Sequence, residues 1–335
     1  MRICTRILSL AAILLVMLPA QGLAVRLKIA TLSPEGSVWM QKMREGADEV
    51  ARKTKNRVQI KFYPGGVMGD DNAVLRKIRV GQLHGGAVVG NSLSQYYPDN
   101  QIYGLPLKFK SFAEIDYVRR HLDQRIIEGL EQGGFVTFGI AEGGFAYVMS
   151  NVPIRTVAEM QHEKVWVPDN DKTILESLKA FDIKPIPLSI ADVRAGLQTG
   201  LINTVTTPPI GAIALQWHTQ IKYIMDEPFL YIYGLLAVDR NVFEKLSPDD
   251  QRILREVMGQ VFKELDRLNR EDNINAMDVL RKQGIEFVKP DAEALKKWYR
   301  DATAVPEQLI RTGKLSREMV DTLENLLKAY RSQHP

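Results

Sequence analysis

From Val25 onward the chain moves between two rhythms of apolar and polar residues. V-R-L-K-I-A-T changes character nearly every residue, the period of a half-buried strand, and ends in the turn signal L-S-P-E-G-S. From Val38 to Lys53 the apolar residues recur at helical spacing instead. R-V-Q-I-K-F-Y-P predicts a second strand, closed by P-G-G. A helix over Asp71 to Val80 and a short strand in G-A-V-V-G follow. After an irregular stretch through Pro98, helical spacing returns from Phe112 to Gln132, and V-T-F-G-I-A is a further strand.

The rhythm repeats beyond Pro153. A helix around Val157 to Gln161 precedes E-K-V-W-V-P, and a helix from Lys172 to Phe181 precedes K-P-I-P-L. A helix over Ala191 to Gln198 precedes N-T-V-T-T-P. Strands alternating with helices predict an α/β fold with parallel sheets covered on both faces. Two such runs, joined near Tyr147 to Pro153, predict two lobes, and Y-I-Y-G-L-L-A-V-D is read as the strand returning the chain to the first. Lobe I then takes 25–147 with 237–279, and lobe II takes 148–236 with 280–335.

The longest helical signal starts at Ser247 and covers about 248–283. Ser-Pro-Asp-Asp offers an N-cap, a proline in the first turn and acids at the positive end of the dipole. Ile253, Val257, Val261, Leu265 and Leu268 keep helical spacing with few breakers before Gly284. Such a helix is long enough to brace both lobes; a bent or broken pair is the other reading of the same pattern.

The first residues follow neither rhythm. Arg2 and Arg6 precede an apolar run from Ile7 to Leu18, and Gly22 and Ala24 supply small residues for cleavage. This is the pattern of a secretory signal over 1–24, cut near Ala24, and it predicts export. Cys4, the only cysteine, lies before the apolar run, so the mature chain has no disulfide or thiolate site. What remains is roughly 310 residues, about two domains in length, enough to hold itself together by core burial. The formal charge of +4 falls by two when Arg2 and Arg6 leave. The other charges are mixed, with no basic tract for nucleic acid.

Familiar catalytic motifs are missing. The five histidines form no H-E-x-x-H pair, and no G-x-S-x-G, G-x-x-x-x-G-K-[ST] or G-x-G-x-x-G occurs. P-G-G-V-M-G reads as a strand-to-loop turn.

Five ordered blocks carry a resemblance. They are R-V-Q-I-K-F-Y-P-G-G-V-M-G-D-D, V-G-Q-L-H-G-G-A-V-V, Y-Y-P-D-N-Q-I-Y-G-L-P-L-K-F, D-V-R-A-G-L-Q-T-G-L-I-N-T-V and V-F-E-K-L-S-P-D-D-Q. Together they resemble the periplasmic solute-binding subunits of tripartite ATP-independent periplasmic (TRAP) transporters, of the dicarboxylate-receptor type. The resemblance spans essentially the whole mature chain. It implies a two-lobed fold with a ligand cleft and a hinge-spanning helix, closing on a small organic solute and docking on a membrane permease. It implies no catalysis. Some such proteins pair through a C-terminal helix, and L-E-N-L-L-K-A-Y is amphipathic, but packing on its own lobe explains that pattern equally, and a monomer is expected.

The resemblance also implies positions for the site. Trp166 stands where the family usually has an arginine, whose fork suits a solute carboxylate. Ala146, after Gly143-Gly144-Phe145, stands at the place of a second arginine. Val89, Ile190 and Thr207 match other pocket positions, and Ser33 a small polar contact. Glu35, Asn91, Glu142 and Asp169 are polar groups at strand ends; Phe145, Tyr147, Thr206, Trp217 and Tyr233 match or neighbour pocket segments. Losing both arginines disfavours a lone buried carboxylate, so a neutral, aromatic or hydroxylated solute is expected.

Two features stay open at this stage. Alternation puts Val165 and Val167 on one face and Lys164 and Trp166 on the other, so Trp166 faces either the pocket or the core. The strand-end acids serve as caps or solvated groups, or hold a Ca²⁺ or Na⁺ ion that presents a carboxylate to the site. The competing functions are a ligand-carrying sensor and an exported hydrolase or lyase.

Overall fold

The computed structural model describes residues 24–169 and 171–334. Residues 1–23 of the expected signal, with Cys4, lie outside the described residues.

β1 (Val25–Thr31) pairs in parallel with β2 (Val58–Tyr63) on one side and β3 (Gly85–Val89) on the other. The crossovers are α1 (Val38–Lys53) and α2 (Asp71–Arg79). Each opens on a side-chain cap: Ser37 accepts from the Met40 N–H, and Asp70 from the Ala73 N–H. This is the parallel unit that the alternation predicts.

Beyond it the sheet turns antiparallel. After α3 (Phe112–Gln132) and β4 (Phe135–Thr137) comes β5 (Ala141–Ser150), which pairs antiparallel with β10 (Leu230–Asp239). β10 also runs antiparallel to β3 and β4. The far end of β5 carries β8 (Thr204–Thr207) and β9 (Tyr223–Met225), and β9 pairs in parallel with β11 (Glu286–Val288). One mixed sheet results, in the order β11-β9-β5-β10-β3-β1-β2. The expectation of purely parallel sheets fails at β5 and β10 because both are buried along most of their length. A strand covered on both faces reads as a continuous apolar run, which carries no direction.

Between β5 and β8 lie α4 (Val157–Gln161), β6 (Trp166–Pro168), α5 (Lys172–Lys179), β7 (Ile186–Leu188) and α6 (Val193–Thr199). β6 and β7 form their own parallel pair, joined to β8 only by a bridge from Val165 to Thr204. Pro187 is tolerated because β7 is an edge strand. Trp166, Met149, Val193, Leu197, Val205 and Trp217 belong to a smaller core, separate from the large one under β1, β3 and β10.

After α7 (Pro209–Ala214) and α8 (Arg240–Phe243), α9 (Pro248–Lys282) runs unbroken for 35 residues, roughly 50 Å at the usual rise. Ser247 caps it, Asp249 and Asp250 sit in the first turn, and Arg281 and Lys282 in the last. It packs on α1, β5 and α7 in turn. Leu254, Met258 and Phe262 join the large core, whereas Leu280 joins the smaller one, so one helix braces both.

β5 meets α9 at a bulge. Ile232 of β10 stands opposite Gly144 and Tyr233 opposite Glu142, leaving Gly143 unopposed. Gly144 has φ +99°, and a Cβ there would lie 2.6 Å from Asn273 Nδ2. Glycine is required because Asn273 uses that space to donate to the Gly143 carbonyl at 2.9 Å.

The chain finishes with α10 (Ala292–Ala302), α11 (Ala304–Arg311) and α12 (Arg317–Gln333). α12 buries Met319, Val320, Leu323 and Leu327 and packs on α3 of its own chain. Among the described residues, no helix is long and apolar enough to cross a membrane.

Candidate functional site

A cavity of about 640 Å³ is lined by residues of both cores. The start of α2 and the turn after β3 supply Asp71, Val89, Asn91 and Ser92. From the other side come Val165 to Asp169 around β6, Ile190, Thr206, Thr207 and Trp217, with Thr173, Ile174 and Leu178 of α5. Phe229 to Ile232, at the start of β10, and the loop at Lys314 complete the wall. The cavity lies beyond the carboxyl ends of β3, β6 and β8, where ligands bind in open α/β sheets.

Trp166 is both core and cavity wall. It is 7% exposed and belongs to the smaller core, yet it lines the cavity. Its Nε1 donates to the Leu188 carbonyl at 3.0 Å, which locks the ring across β6 and β7. Trp217 meets it edge-on, with ring centroids 5.2 Å apart. Together the indoles make a rigid apolar corner.

The carboxylates of the wall are mostly held by the fold. Asp71 accepts from the Val89 N–H at 3.0 Å and from Ser92 Oγ at 2.7 Å. Burial pushes its carboxyl up to about 6 despite those two hydrogen bonds, which favour the anion. Asp171 caps α5, accepting from the Thr173 and Ile174 N–H groups. Burial raises its pKa as well. Among residues whose side chains are described, the wall has no arginine, and Lys314 is its one cation. Among the described residues no group of three or more His, Cys, Asp or Glu side chains comes together to hold a metal, so the strand-end acids form no such cluster.

Of the positions expected from the sequence, Val89, Asn91, Trp166, Asp169, Ile190, Thr206, Thr207 and Trp217 line the cavity. The structure places the others elsewhere. Glu35 is exposed and clamped by Arg44 at 2.9 and 2.5 Å, and Ser33 lies in the turn before α1, its carbonyl accepting from Gly65. Glu142 is buried under α9, paired with Arg270 at 2.5 Å and accepting from Tyr231 at 3.1 Å. Phe145 packs against Phe112 and Tyr231. Ala146 is buried, and its carbonyl accepts from the Phe229 N–H. Tyr147 bridges the two cores from a half-buried position, its phenol pushed up to about 12 by burial. Tyr233 is buried over Gly90, with its hydroxyl on the Asn100 carbonyl at 2.7 Å. These residues shape the frame around the cavity.

Asp71, Ser92, Phe229, Tyr231 and Lys314 line the wall without having been expected there. Asp71 belongs to the quoted G-D-D block, so a signal for it existed in the sequence. Lys314 lies in the turn between α11 and α12, and no local pattern marks it.

Comparisons with known proteins agree on one family. The model described as DctP, bacterial extracellular solute-binding protein family 7, matches residues 29–312. The sialic acid-binding periplasmic protein SiaP of Vibrio cholerae is 21% identical, covering 82% of this chain and 85% of its own. The 2,3-diketo-L-gulonate-binding periplasmic protein YiaO of Escherichia coli is 23% identical, covering 76% and 79%. A TRAP periplasmic solute-binding protein from Sulfitobacter sp. NAS-14.1, solved with β-D-galacturonate, superposes with a TM-score of 0.81. It is 21% identical, with 91% of this chain and 100% of that one covered.

Proposed function

The chain belongs to the DctP family of bacterial extracellular solute-binding proteins, family 7, and we propose that its cavity takes up a small solute lacking a dominant carboxylate and passes it to a TRAP permease. It is a binding protein and not an enzyme, which removes the hydrolase or lyase alternative. The solute favoured is neutral, aromatic or hydroxylated.

The observation that carries this reading is the indole corner in a wall that has no arginine among the described residues. SiaP, YiaO and the Sulfitobacter protein are named for acids or were solved with one. An acid buried in a pocket needs a matched cation, best a bidentate guanidinium. Trp166 instead offers an apolar wall; since only 7% of it is exposed, the apolar gain comes mainly from the solute's own surface leaving water, at roughly 25 cal/mol per Å². Lys314 favours one second reading, a carboxylate held by a point charge at the cavity edge.

The lobes proposed from the sequence, 25–147 with 237–279 and 148–236 with 280–335, meet at this cavity. In that reading they close over the solute about the bulge at Gly143, with α12 resting back on lobe I. Export by the N-terminal signal brings the protein to the periplasm as a monomer.

The test is a thermal-shift screen on refolded protein stripped of solute. Acids are compared with their neutral alcohol and amide analogues, since a ligand of the folded state raises stability by RT ln(1 + [L]/Kd). Neutral compounds should stabilise the wild type and lose their effect in Trp166→Ala. Stabilisation by acids alone, sensitive to Lys314→Met, selects the second reading.

A further inference from the structure

Beside the cavity lies a chamber of about 20 Å³, room for about one water-sized group. Asn91, Gly104, Thr173 and Phe229 line both spaces, whereas Gln101 and Ser177 line the chamber alone. Gly104 admits the Asn91 amide at this shared wall, since a Cβ there would lie 3.1 Å from Asn91 Nδ2.

Gln101 is 2% exposed, and its Nε2 donates to the carbonyls of Pro98 at 3.0 Å and Lys314 at 2.9 Å. Two carbonyl neighbours fix which end of the amide carries nitrogen. Its Oε1 is therefore a true acceptor, and it is buried with no partner. Ser177 Oγ is committed to the Thr173 carbonyl, and among the described residues no donor, the Asn91 amide and the Thr173 hydroxyl of the shared wall included, hydrogen-bonds Gln101 Oε1. Buried acceptors are nearly always satisfied, so the chamber is built to admit one donor to Oε1, a water when the site is empty and a group of the solute that displaces it otherwise.

We propose that the solute carries a hydroxyl or amino group that enters the chamber and donates to Gln101 Oε1. The inference rests on the main cavity being the solute site and names what one end of the solute must be. The chamber holds no larger group. A carboxylate there would set its lone pairs against those of Oε1, among Leu105, Pro106 and Leu309. The class that fits is an alcohol or amine whose apolar body lies towards Trp166 and Trp217.

The test uses Ser177→Val, which narrows the chamber while leaving Gln101 and the main wall in place. Monoaromatic alcohols and amines are titrated beside their O-methyl, N-trimethyl and carboxylate counterparts, on wild type, Ser177→Val and Trp166→Ala. Wild type should prefer the alcohol or the amine over its capped counterpart by roughly tenfold, the size of one buried hydrogen bond. Ser177→Val should erase that preference. A crystal structure of the wild type with the tightest compound should show its oxygen or nitrogen within hydrogen-bond distance of Oε1, whatever the variant does to folding. If Trp166→Ala weakens binding while Ser177→Val leaves the preference intact, the chamber assignment fails and the cavity reading stands. If Trp166→Ala changes nothing, the cavity reading itself fails. A panel in which no alcohol or amine outperforms its capped form overturns the inference.

Discussion

Trp166 and Trp217 stand at an interplanar angle of 75°, their ring centroids 5.2 Å apart, and both border the cavity. The two belong to different elements, β6 and the turn after α7, so the contact ties together the wall that a solute would touch. Because each ring is also core, the site and the stability of this half share the same atoms.

Trp166→Ala should therefore cost stability and binding together. Truncating a large buried aromatic typically destabilises by about 3–5 kcal/mol, and the open cavity side puts this residue at the lower end. Trp166→Phe keeps a ring against Trp217 but drops the hydrogen bond to Leu188, costing about 1 kcal/mol for that bond plus the lost volume. Urea denaturation separates the two variants, and equal midpoints for Trp166→Ala and wild type would contradict the packing described.

The ion pair beneath the cavity predicts an asymmetry. Glu142 is fully buried and relies on Arg270 and Tyr231, whereas Arg270 also holds Asp116 at 2.7 and 2.8 Å. Arg270→Met strands a buried carboxylate and should cost about 3–5 kcal/mol. Glu142→Gln leaves Arg270 paired with Asp116 and should cost about 1–3 kcal/mol. Denaturation midpoints in the opposite order would mean that Glu142 is held mainly by partners other than Arg270, Tyr231 first among them.

Gly144→Ala meets two obstacles, its φ of +99° and Asn273 Nδ2 at 2.6 Å from the new Cβ. The strain should amount to about 1–3 kcal/mol. In an Asn273→Ala background only the backbone part remains, so a double-mutant cycle should show coupling of about 0.5 kcal/mol or more. Strict additivity would place the whole effect in the backbone.

The elements were legible where local chemistry marks them. Ser37 and Ser111 cap helices whose apolar spacing then runs without interruption, so Val38–Lys53 and Phe112–Gln132 stand where the spacing predicts them. The site was less legible, because its walls are gathered from distant segments. β6 is three residues long, too short for alternation to say which way Trp166 points. Glu35 has the strand-end position of a ligand contact, yet Arg44, one helix away, claims it. Tyr231 and Tyr233 look equivalent in the sequence and both are buried in the large core, but Tyr233 packs over Gly90 whereas Tyr231 also borders the cavity.

Asp71 makes the last prediction, about pH. Its carboxyl titrates near 6 in the folded protein against an ordinary value of 3.8, because burial disfavours the anion. The folded state thus holds this proton more tightly than the unfolded state. Below the ordinary value both states are protonated and the group is neutral to stability. As pH rises from about 4 to about 6 the unfolded chain ionises first, and folding loses stability, up to about 3 kcal/mol from this group. Asp71→Asn removes the titration, so the difference between variant and wild type should grow in the variant's favour across that window and level off above it. Other carboxylates titrate in both proteins and cancel in the difference. Stability measured by urea at pH 4, 5, 6 and 7 reads this directly. A flat difference would show that the hydrogen bonds from Val89 and Ser92 outweigh burial and keep Asp71 ionised throughout.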